Sequence, residues 1–340
     1  MASNLEKALA EINKKFGKSS VIVLGDEEPN KVNCIPTGSL QLDKILGGGI
    51  AYSRIAEIYG VEGAGKTSLC LQIVAQCQSS GGTVAYVDVE NAVDLNYARQ
   101  LGVDVKHLIF SQPSSAEQAL DIVDALVKSG EVNLIIVDSV AALAPQAELD
   151  GEMGDATIGL MARLMGKALR KITASVNYNK CAVVFINQLR SNIGGYGNPD
   201  TTPGGRALKY AASQRIEMRK TTAIKEGADV IGNMVKIKIV KNKIAVPQQV
   251  VELPLIFGEG FKPGEEVLNL AIDYDFISKA GAWFTTHDGQ RFQGKASVKE
   301  YYDEHPELLE ELTQMVKDTL AGKEIVQDFE VDPNTGEVID

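Results

Sequence analysis

The sequence predicts an α/β fold in which a mainly parallel sheet lies between helices and is continued by a β-meander. Three observations predict it. Short apolar runs at Arg54–Tyr59, Thr83–Val89, Leu108–Phe110, Leu134–Val137 and Ala182–Ile186 alternate with helical patterns, as strands buried on both faces do. A glycine-rich segment, Gly60-Val61-Glu62-Gly63-Ala64-Gly65-Lys66-Thr67, joins the first run to a helical stretch over Lys66–Ser79. After Gln188 the style changes, and Ser213–Arg219, Met234–Val240 and Gln248–Leu253 read as three strands of a meander.

The chain has 340 residues, 44% hydrophobic and 23% charged, which suits a soluble globular protein with one large core and a smaller satellite domain. No run approaches the roughly 18 apolar residues of a membrane span, and Met1–Lys7 lacks the basic-then-apolar build of a secretory signal. Cys34, Cys70, Cys77 and Cys181 are scattered, without CxxC spacing or clustered histidines. They read as reduced thiols of a cytoplasmic protein rather than a disulfide frame or zinc site. A net charge of −11 argues at first against a polyanionic partner. The excess acid sits at one end, however. Residues 263–340 hold 18 acids against 6 bases, whereas residues 1–262 hold 27 against 28. The larger part is therefore free to carry local basic surface, and the acidic end can compete with a polyanion for it.

Taken in order, residues 1–27 read as a helix and strand used in oligomerisation. Leu5, Leu9, Ile12 and Phe16 fall at helical spacing with Glu6, Lys7, Glu11 and Lys14 between them. Ser19–Leu24 reads as a short strand and Asp26–Lys31 as a polar linker. So small a segment cannot build its own core, and must dock on the main domain or on a neighbouring subunit. Residues 28–262 form the core domain. It has a loop at Gly47-Gly48-Gly49 and further helical patterns at Asp94–Leu101, Ser115–Lys128 and Ile158–Asn177. The stretch 191–205, rich in Gly, Asn, Pro and Thr, reads as a mobile loop. Residues 263–325 read as a small α+β C-terminal domain, with helical patterns at Val267–Ile277, Val298–His305 and Pro306–Leu320. Residues 326–340, with five acids and no base, read as a disordered acidic tail.

The glycine-rich segment fits GxxxxGK[ST] and lies after a strand and before a helix. Glycines let backbone N–H groups turn inward around a phosphate, and the helix N-terminus adds partial positive charge. Gly60, Glu62, Gly63, Ala64, Gly65 and Ser68 frame the phosphates, Lys66 reaches the β/γ oxygens and the Thr67 hydroxyl meets magnesium. Asp138, ending the apolar run Leu134–Val137, is the expected carboxylate on the metal side. Hydrolysis also needs a group to polarise water. Glu90 and Asp88 both stand at the end of the strand Ala85–Val89, two residues apart on one face, and spacing alone leaves both open.

Further strings narrow the class. Leu134–Ala142 (LIIVDSVAA), Phe185–Arg190 (FINQLR), Gly197–Gly205 (GNPDTTPGG), Val240–Ala245 (VKNKIA) and Lys279–Trp283 (KAGAW) together resemble the RecA family of bacterial DNA strand-exchange recombinases, from the N-terminal helix to about residue 325. The resemblance implies a P-loop core of RecA type using ATP and Mg2+. It selects Glu90 over Asp88 as the group that activates water, and makes Gln188 the sensor of the γ-phosphate. It places Tyr97, with Asp94 nearby, against adenine. It assigns Lys241 and Lys243 to the γ-phosphate of a neighbouring subunit. Without the family, two lysines at i and i+2 would be a solvated strand face.

The same resemblance makes 152–159 and 191–205 the loops that line a filament axis and hold single-stranded DNA and a homologous duplex. Residues 190–220 carry six bases and two acids, and 163–180 five bases and no acid, which suits phosphate contacts without sequence preference. Arg163, Arg170, Arg190, Gly204, Gly205 and Arg206 are the expected contacts, with Ile158 and Ile193 as wedges between groups of stacked bases. Ser191 and Asn192 depart from the larger or basic side chains frequent in relatives. Leu9, Ile12 and Tyr210 are the expected interface residues of a helical homopolymer, and a LexA-type repressor is an implied partner. Two rivals share parts of this pattern: a hexameric ring motor with the same core, and a non-catalytic DNA-coating protein.

Overall fold

The computed structural model describes residues 3–17, 20–21, 32–152, 159–191, 200–320, 330–331 and 338–339. The chain divides into two units, Met1–Val32 and Asn33–Asp340.

In the first unit, helix α1 (Asn4–Phe16) opens on a capping box in which the Ser3 hydroxyl accepts from the Glu6 N–H and the Glu6 carboxylate accepts from the Ser3 N–H. Its end is fixed by Asn13, whose side chain bonds the backbone N–H and C=O of Val21, both at 3.1 Å. No residue of α1 is buried; Leu9 and Ile12 are half-covered, and Leu5 and Phe16 are 66% and 67% exposed. A helix of this length is marginal by itself in water. The strand expected over Ser19–Leu24 and the linker at Asp26–Lys31 fall almost wholly outside the described residues.

The second unit is built on nine strands: β1 (Ile55–Gly60), β2 (Val84–Asp88), β3 (Ile109–Ser111), β4 (Leu134–Asp138), β5 (Ala182–Gln188), β6 (Gln214–Glu226), β7 (Asp229–Asn242), β8 (Val250–Ile256) and β9 (Gly260–Phe261). Their order across the sheet is β9-β8-β7-β6-β1-β5-β4-β2-β3. From β6 to β3 every pairing is parallel, and β7, β8 and β9 continue antiparallel from β6. The expected meander is thus the extension of the main sheet, and β6 belongs to both parts.

Alternate residues of the central strands feed two apolar layers. Leu134, Ile136, Ala182, Val184 and Ile186 pack on one face with Leu69, Ile73 and Val74 of α3 (Lys66–Ser79). Ile135, Val137, Val183 and Phe185 pack on the other with α5 (Ala116–Ser129) and α7 (Leu160–Asn179). Phe185 is fully buried, which by itself contributes about 2–3 kcal/mol. The remaining helices of this part are α2 (Leu40–Leu46), α4 (Leu95–Gln100), the single turn α6 (Gln146–Leu149) and α8 (Arg206–Ala211). Sequence periodicity missed α2, because seven residues bounded by Ser39 and Gly47 are too few for a repeat. It likewise missed the small ladder joining Cys34–Ile35 to Ile50–Ala51.

A third apolar cluster gathers α9 (Pro263–Asp273), α10 (Lys295–Glu304), α11 (Pro306–Leu320) and a ladder of β10 (Ser278–Ala280), β11 (Trp283–Thr285) and β12 (Arg291–Gln293). In the acidic tail, Glu330–Val331 pairs antiparallel with Val338–Ile339, and the rest of 326–340 lies outside the described residues. The loop 191–205 is likewise closed at its base, where Arg190–Ser191 pairs with Asp200–Thr201; residues 192–199 lie outside the described residues.

Helix α9 meets α2 through a buried carboxylate. Glu266 accepts from the Ser39 hydroxyl at 3.0 Å and from the Gln41 N–H at 2.6 Å. Nearby, Asp43 accepts from the Thr37 N–H at 2.8 Å and the Thr37 hydroxyl at 2.7 Å. Burial pushes Asp43 up to about 7 from its ordinary 3.8; Thr37 and Lys317 oppose this and Glu266 adds to it. The folded chain therefore takes up a proton that the unfolded chain has released. This group's contribution is full below about pH 4 and is lost as pH rises to 7. Asp43→Asn keeps an acceptor for Thr37 and removes the titration. The stability lost between pH 5 and pH 8 is expected to be about 2–3 kcal/mol smaller in this variant than in the wild type, measured by denaturant unfolding at each pH. Equal losses would mean that Asp43 stays ionised in the fold.

Candidate nucleotide site and nucleic-acid face

The C-terminal ends of the parallel strands converge on a cavity of about 370 Å³ lined by residues of the glycine-rich loop together with Glu90, Asp138 and Gln188. Loop geometry follows from its glycines. A Cβ on Gly60 would stand 2.0 Å from the Met218 carbonyl oxygen of β6, so only glycine lets β1 pair with β6 to its last residue. Gly63 and Gly65 have φ of +70° and +79°, a region that side chains disfavour. Gly65 caps α3 without a side chain, which leaves the first-turn N–H groups facing an incoming anion. Ala64 is buried, Glu62 is exposed and Ser68 is half-buried.

Lys66 is buried, and its ammonium donates to the carbonyls of Gly60 (3.3 Å) and Val61 (2.9 Å). Burial lowers its pKa, while Asp138 and Glu90 pull the other way. The Thr67 hydroxyl donates to Asp138 Oδ2 at 2.9 Å, and the buried Tyr86 hydroxyl donates to the same oxygen at 2.8 Å. Burial raises the Asp138 pKa against these two hydrogen bonds. A hydroxyl and a carboxylate are the oxygen donors that a hard divalent cation takes. Among the described residues no cluster of three or more His, Cys, Asp or Glu forms a cage, so such an ion must share its remaining positions with phosphate and water. The residues present fit magnesium on those terms.

The two open candidates for the water-polarising group separate clearly. Asp88 is fully buried and occupied, accepting from the N–H groups of Ala92 and Val93 at 3.3 Å and from Gln112 at 3.2 Å. It holds the turn after β2. Glu90 stands exposed at the cavity, where Gln188 Nε2 donates to its Oε1 at 3.0 Å and the Ser139 hydroxyl donates to the same oxygen. The strand carrying Glu90 is not a neighbour of β1, since β5 and β4 lie between them. That spacing puts Gln188 between the glycine-rich loop and Glu90.

Sequence reasoning missed what holds Gln188. Its N–H donates to the side chain of buried Asn187 at 2.9 Å. Asn187 Nδ2 in turn donates to Glu57 at 3.0 Å and to the Pro203 carbonyl at 3.1 Å. Glu57, fully buried on β1, is paired with Arg215 at 2.6 Å, and the Arg215 guanidinium lies 4.5 Å from the centroid of the Tyr59 ring. A buried Asn and Glu inside otherwise apolar strands were the available signal. Tyr97 donates through its hydroxyl to Ser68 at 2.8 Å, while Asp94 caps α4 through the N–H groups of Asn96 and Tyr97.

Helix α7 buries Met165, Leu169, Ile172 and Val176 and exposes Arg163, Lys167, Arg170 and Lys171. Arg190 and Arg206 are exposed at the two ends of the 191–205 segment. Gly204 and Gly205 seat the end of that segment, since added Cβ atoms would stand 2.8 Å from Val140 and 3.0 Å from Ala162. Ile158 and Ile193 lie outside the described residues. Tyr210 is 71% exposed. Lys241 donates to the carbonyls of Lys209 (2.9 Å) and Tyr210 (3.1 Å) at the end of α8, and Lys243 is exposed. Burial and the neighbouring Lys243 lower the Lys241 pKa.

Fold and site together define a P-loop nucleoside triphosphatase. The family model described as the RecA N-terminal domain matches residues 3–262, and that described as the RecA C-terminal domain matches residues 265–321. Protein RecA of Enterococcus faecalis is 46% identical over 331 residues, covering 96% of this chain and 95% of the relative. Protein RecA of Clostridium novyi is 49% identical over 316 residues (92% and 90%), and that of Nautilia profundicola 49% over 320 (93% and 91%). The chain belongs to the RecA family. It is a DNA-dependent ATPase of the recombinase class, which forms helical filaments on single-stranded DNA and carries out homologous pairing and strand exchange. Membership sets aside both the ring motor and the non-catalytic coat.

The two loop glycines give a test of the phosphate cradle. Gly60→Ala is expected to lose more than about 2 kcal/mol of stability, because the clash is with backbone, and to lose nucleotide binding. Gly63→Ala, whose Cβ would only touch Lys220 Nζ at 3.6 Å, is expected to cost about 1 kcal/mol. Unfolding curves and binding of a fluorescent nucleotide measure both; equal effects would contradict the close approach of β6 to Gly60.

Proposed function

We propose that the nucleotide is ATP with Mg2+ and that the residues gathered at the strand ends divide its handling. Lys66 and the N–H groups of the loop hold the phosphates. Thr67 and Asp138 hold the cation, which when bound neutralises charge building on the β/γ oxygens. Glu90 polarises the attacking water, Gln188 registers the γ-phosphate, and Tyr97 stacks on adenine. Lys241 and Lys243 meet the γ-phosphate of the next subunit, and α1, through Leu9 and Ile12, together with Tyr210 forms the seam. Arg163, Arg170, Arg190, Gly204, Gly205 and Arg206, with Ile158 and Ile193, line the DNA. A homologous duplex is the second substrate, a LexA-type repressor a further partner, and the cytoplasm the compartment.

One observation carries this reading: Gln188, the last residue of β5, donates to Glu90 and stands three residues before the 191–205 segment, which Arg190 and Arg206 flank. A γ-phosphate arriving beside Glu90 has to compete for the Gln188 amide, and any shift of Gln188 pulls on the strand end that leads into the segment. Glu90→Gln is expected to bind ATP with unchanged affinity while turnover falls about 10²–10⁴-fold, and its filaments on single-stranded DNA should outlast those of the wild type. Turnover by phosphate release and filament lifetime by electron microscopy measure the two effects. Normal turnover would move the role to another residue.

A further inference from the structure

Tyr86 belongs to the apolar interior by every measure except its hydroxyl. The residue is fully buried in the layer beneath the phosphate site, and its ring lies 6.4 Å from that of Phe110 at an interplanar angle of 24°. It sits on β2 opposite Ile136 of β4, and the same pairing sets Asp88 opposite Asp138. Two residues along a strand span about 6.6 Å, close to the reach of a tyrosine side chain. The hydroxyl thus arrives beside the carboxylate of the strand next door, and donates to Asp138 Oδ2 at 2.8 Å.

That oxygen also receives the Thr67 hydroxyl, at 2.9 Å. The two donors differ in kind. Thr67 lies in the first turn of α3 and faces the cavity, so its hydroxyl must turn when a cation takes up its oxygen. Tyr86 is held by packing on every side and touches the cavity only through Asp138. We propose that Tyr86 is a positioning residue for the cation-side carboxylate. It fixes Oδ2, and so aims Asp138 at the cation, independently of the state of Thr67. Outer hydrogen bonds of this kind govern how well a ligating carboxylate holds its metal. The inference rests on the assignment of Asp138 and Thr67 to magnesium.

The test is Tyr86→Phe in the full chain, which removes one oxygen and keeps the ring. Binding of a fluorescent ATP analogue is titrated against magnesium without turnover. The magnesium concentration at half-maximal binding is expected to rise about tenfold or more, while nucleotide binding without magnesium and the thermal midpoint stay near wild type. Phe110→Leu, which disturbs the ring's neighbour and leaves the hydroxyl, should leave the magnesium midpoint in place. An unchanged midpoint in Tyr86→Phe, with wild-type binding dependent on magnesium, would overturn the inference alone. So would an equal shift in both variants, which would mark packing as the cause. Binding by the wild type that ignores magnesium would overturn the assignment of Asp138 and this inference together.

Discussion

The register of four parallel strands is the constraint on which the site depends. Gly60 is paired with Gln188 across β1 and β5, Val137 with Phe185 across β5 and β4, and Asp88 with Asp138 across β4 and β2. Each strand therefore runs out of apolar residues at the same edge, and Asp138, Gln188 and Glu90 follow within three positions of that edge. Because side chains alternate faces, a slip of one residue on any strand would turn its whole apolar set to the wrong layer. The two buried layers thus enforce the alignment of the polar ends, and the positions of Glu90, Asp138 and Gln188 follow from Val, Ile and Phe several residues upstream.

A second consequence of burial is that polar groups beneath the site must be paired. Glu57 is enclosed in the sheet, where an unpaired carboxylate would cost several kcal/mol. Arg215 and Asn187 meet its two oxygens, and Asn187 has donors left for the Pro203 carbonyl. The same residue accepts from the N–H of Gln188. One amide side chain thereby ties together the strand that feeds the glycine-rich loop, the residue beside Glu90 and the base of the 191–205 segment. Removing one partner leaves the others buried and unsatisfied, so the group behaves as a unit.

How much of this was legible depended on the range of the interaction. Strands and helices of the core follow from apolar periodicity, and the expected helix over Lys66–Ser79 matches the observed one. Local chemistry at Gly60–Thr67 was legible because strand, loop and helix are contiguous. Glu90 and Asp88 were not separable from spacing, since the groups that occupy Asp88 come from the turn after β2 and from Gln112 after β3. Asp94 shows the same limit at short range: its side chain is spent on capping α4. Tyr86 and Asn187 sit in apolar runs where a polar tip reads as noise until the neighbouring strand is in place. The small C-terminal ladder escaped as separate strands because each has three residues, below the length at which alternation becomes a pattern.

The proposed reach of Lys241 into a neighbouring subunit's site carries a physical requirement. Within the chain its ammonium is held by the carbonyls of Lys209 and Tyr210, the last turn of α8, where a positive charge opposes the negative end of the helix. To meet a phosphate it must leave both, and the exchange is favourable because hydrogen bonds to an ionised acceptor are about twice as strong as those to a neutral one. Lys243, exposed two residues on, makes no such exchange. Helix α8 begins at Arg206, directly after Gly204 and Gly205. The carbonyls that Lys241 would release thus close a helix whose first residue, Arg206, is proposed to contact the DNA. An incoming phosphate at the seam would then loosen one end of the element whose other end is proposed to meet the nucleic acid. Lys241 would in this sense be a mechanical partner of the DNA segment as well as an electrostatic partner of the nucleotide.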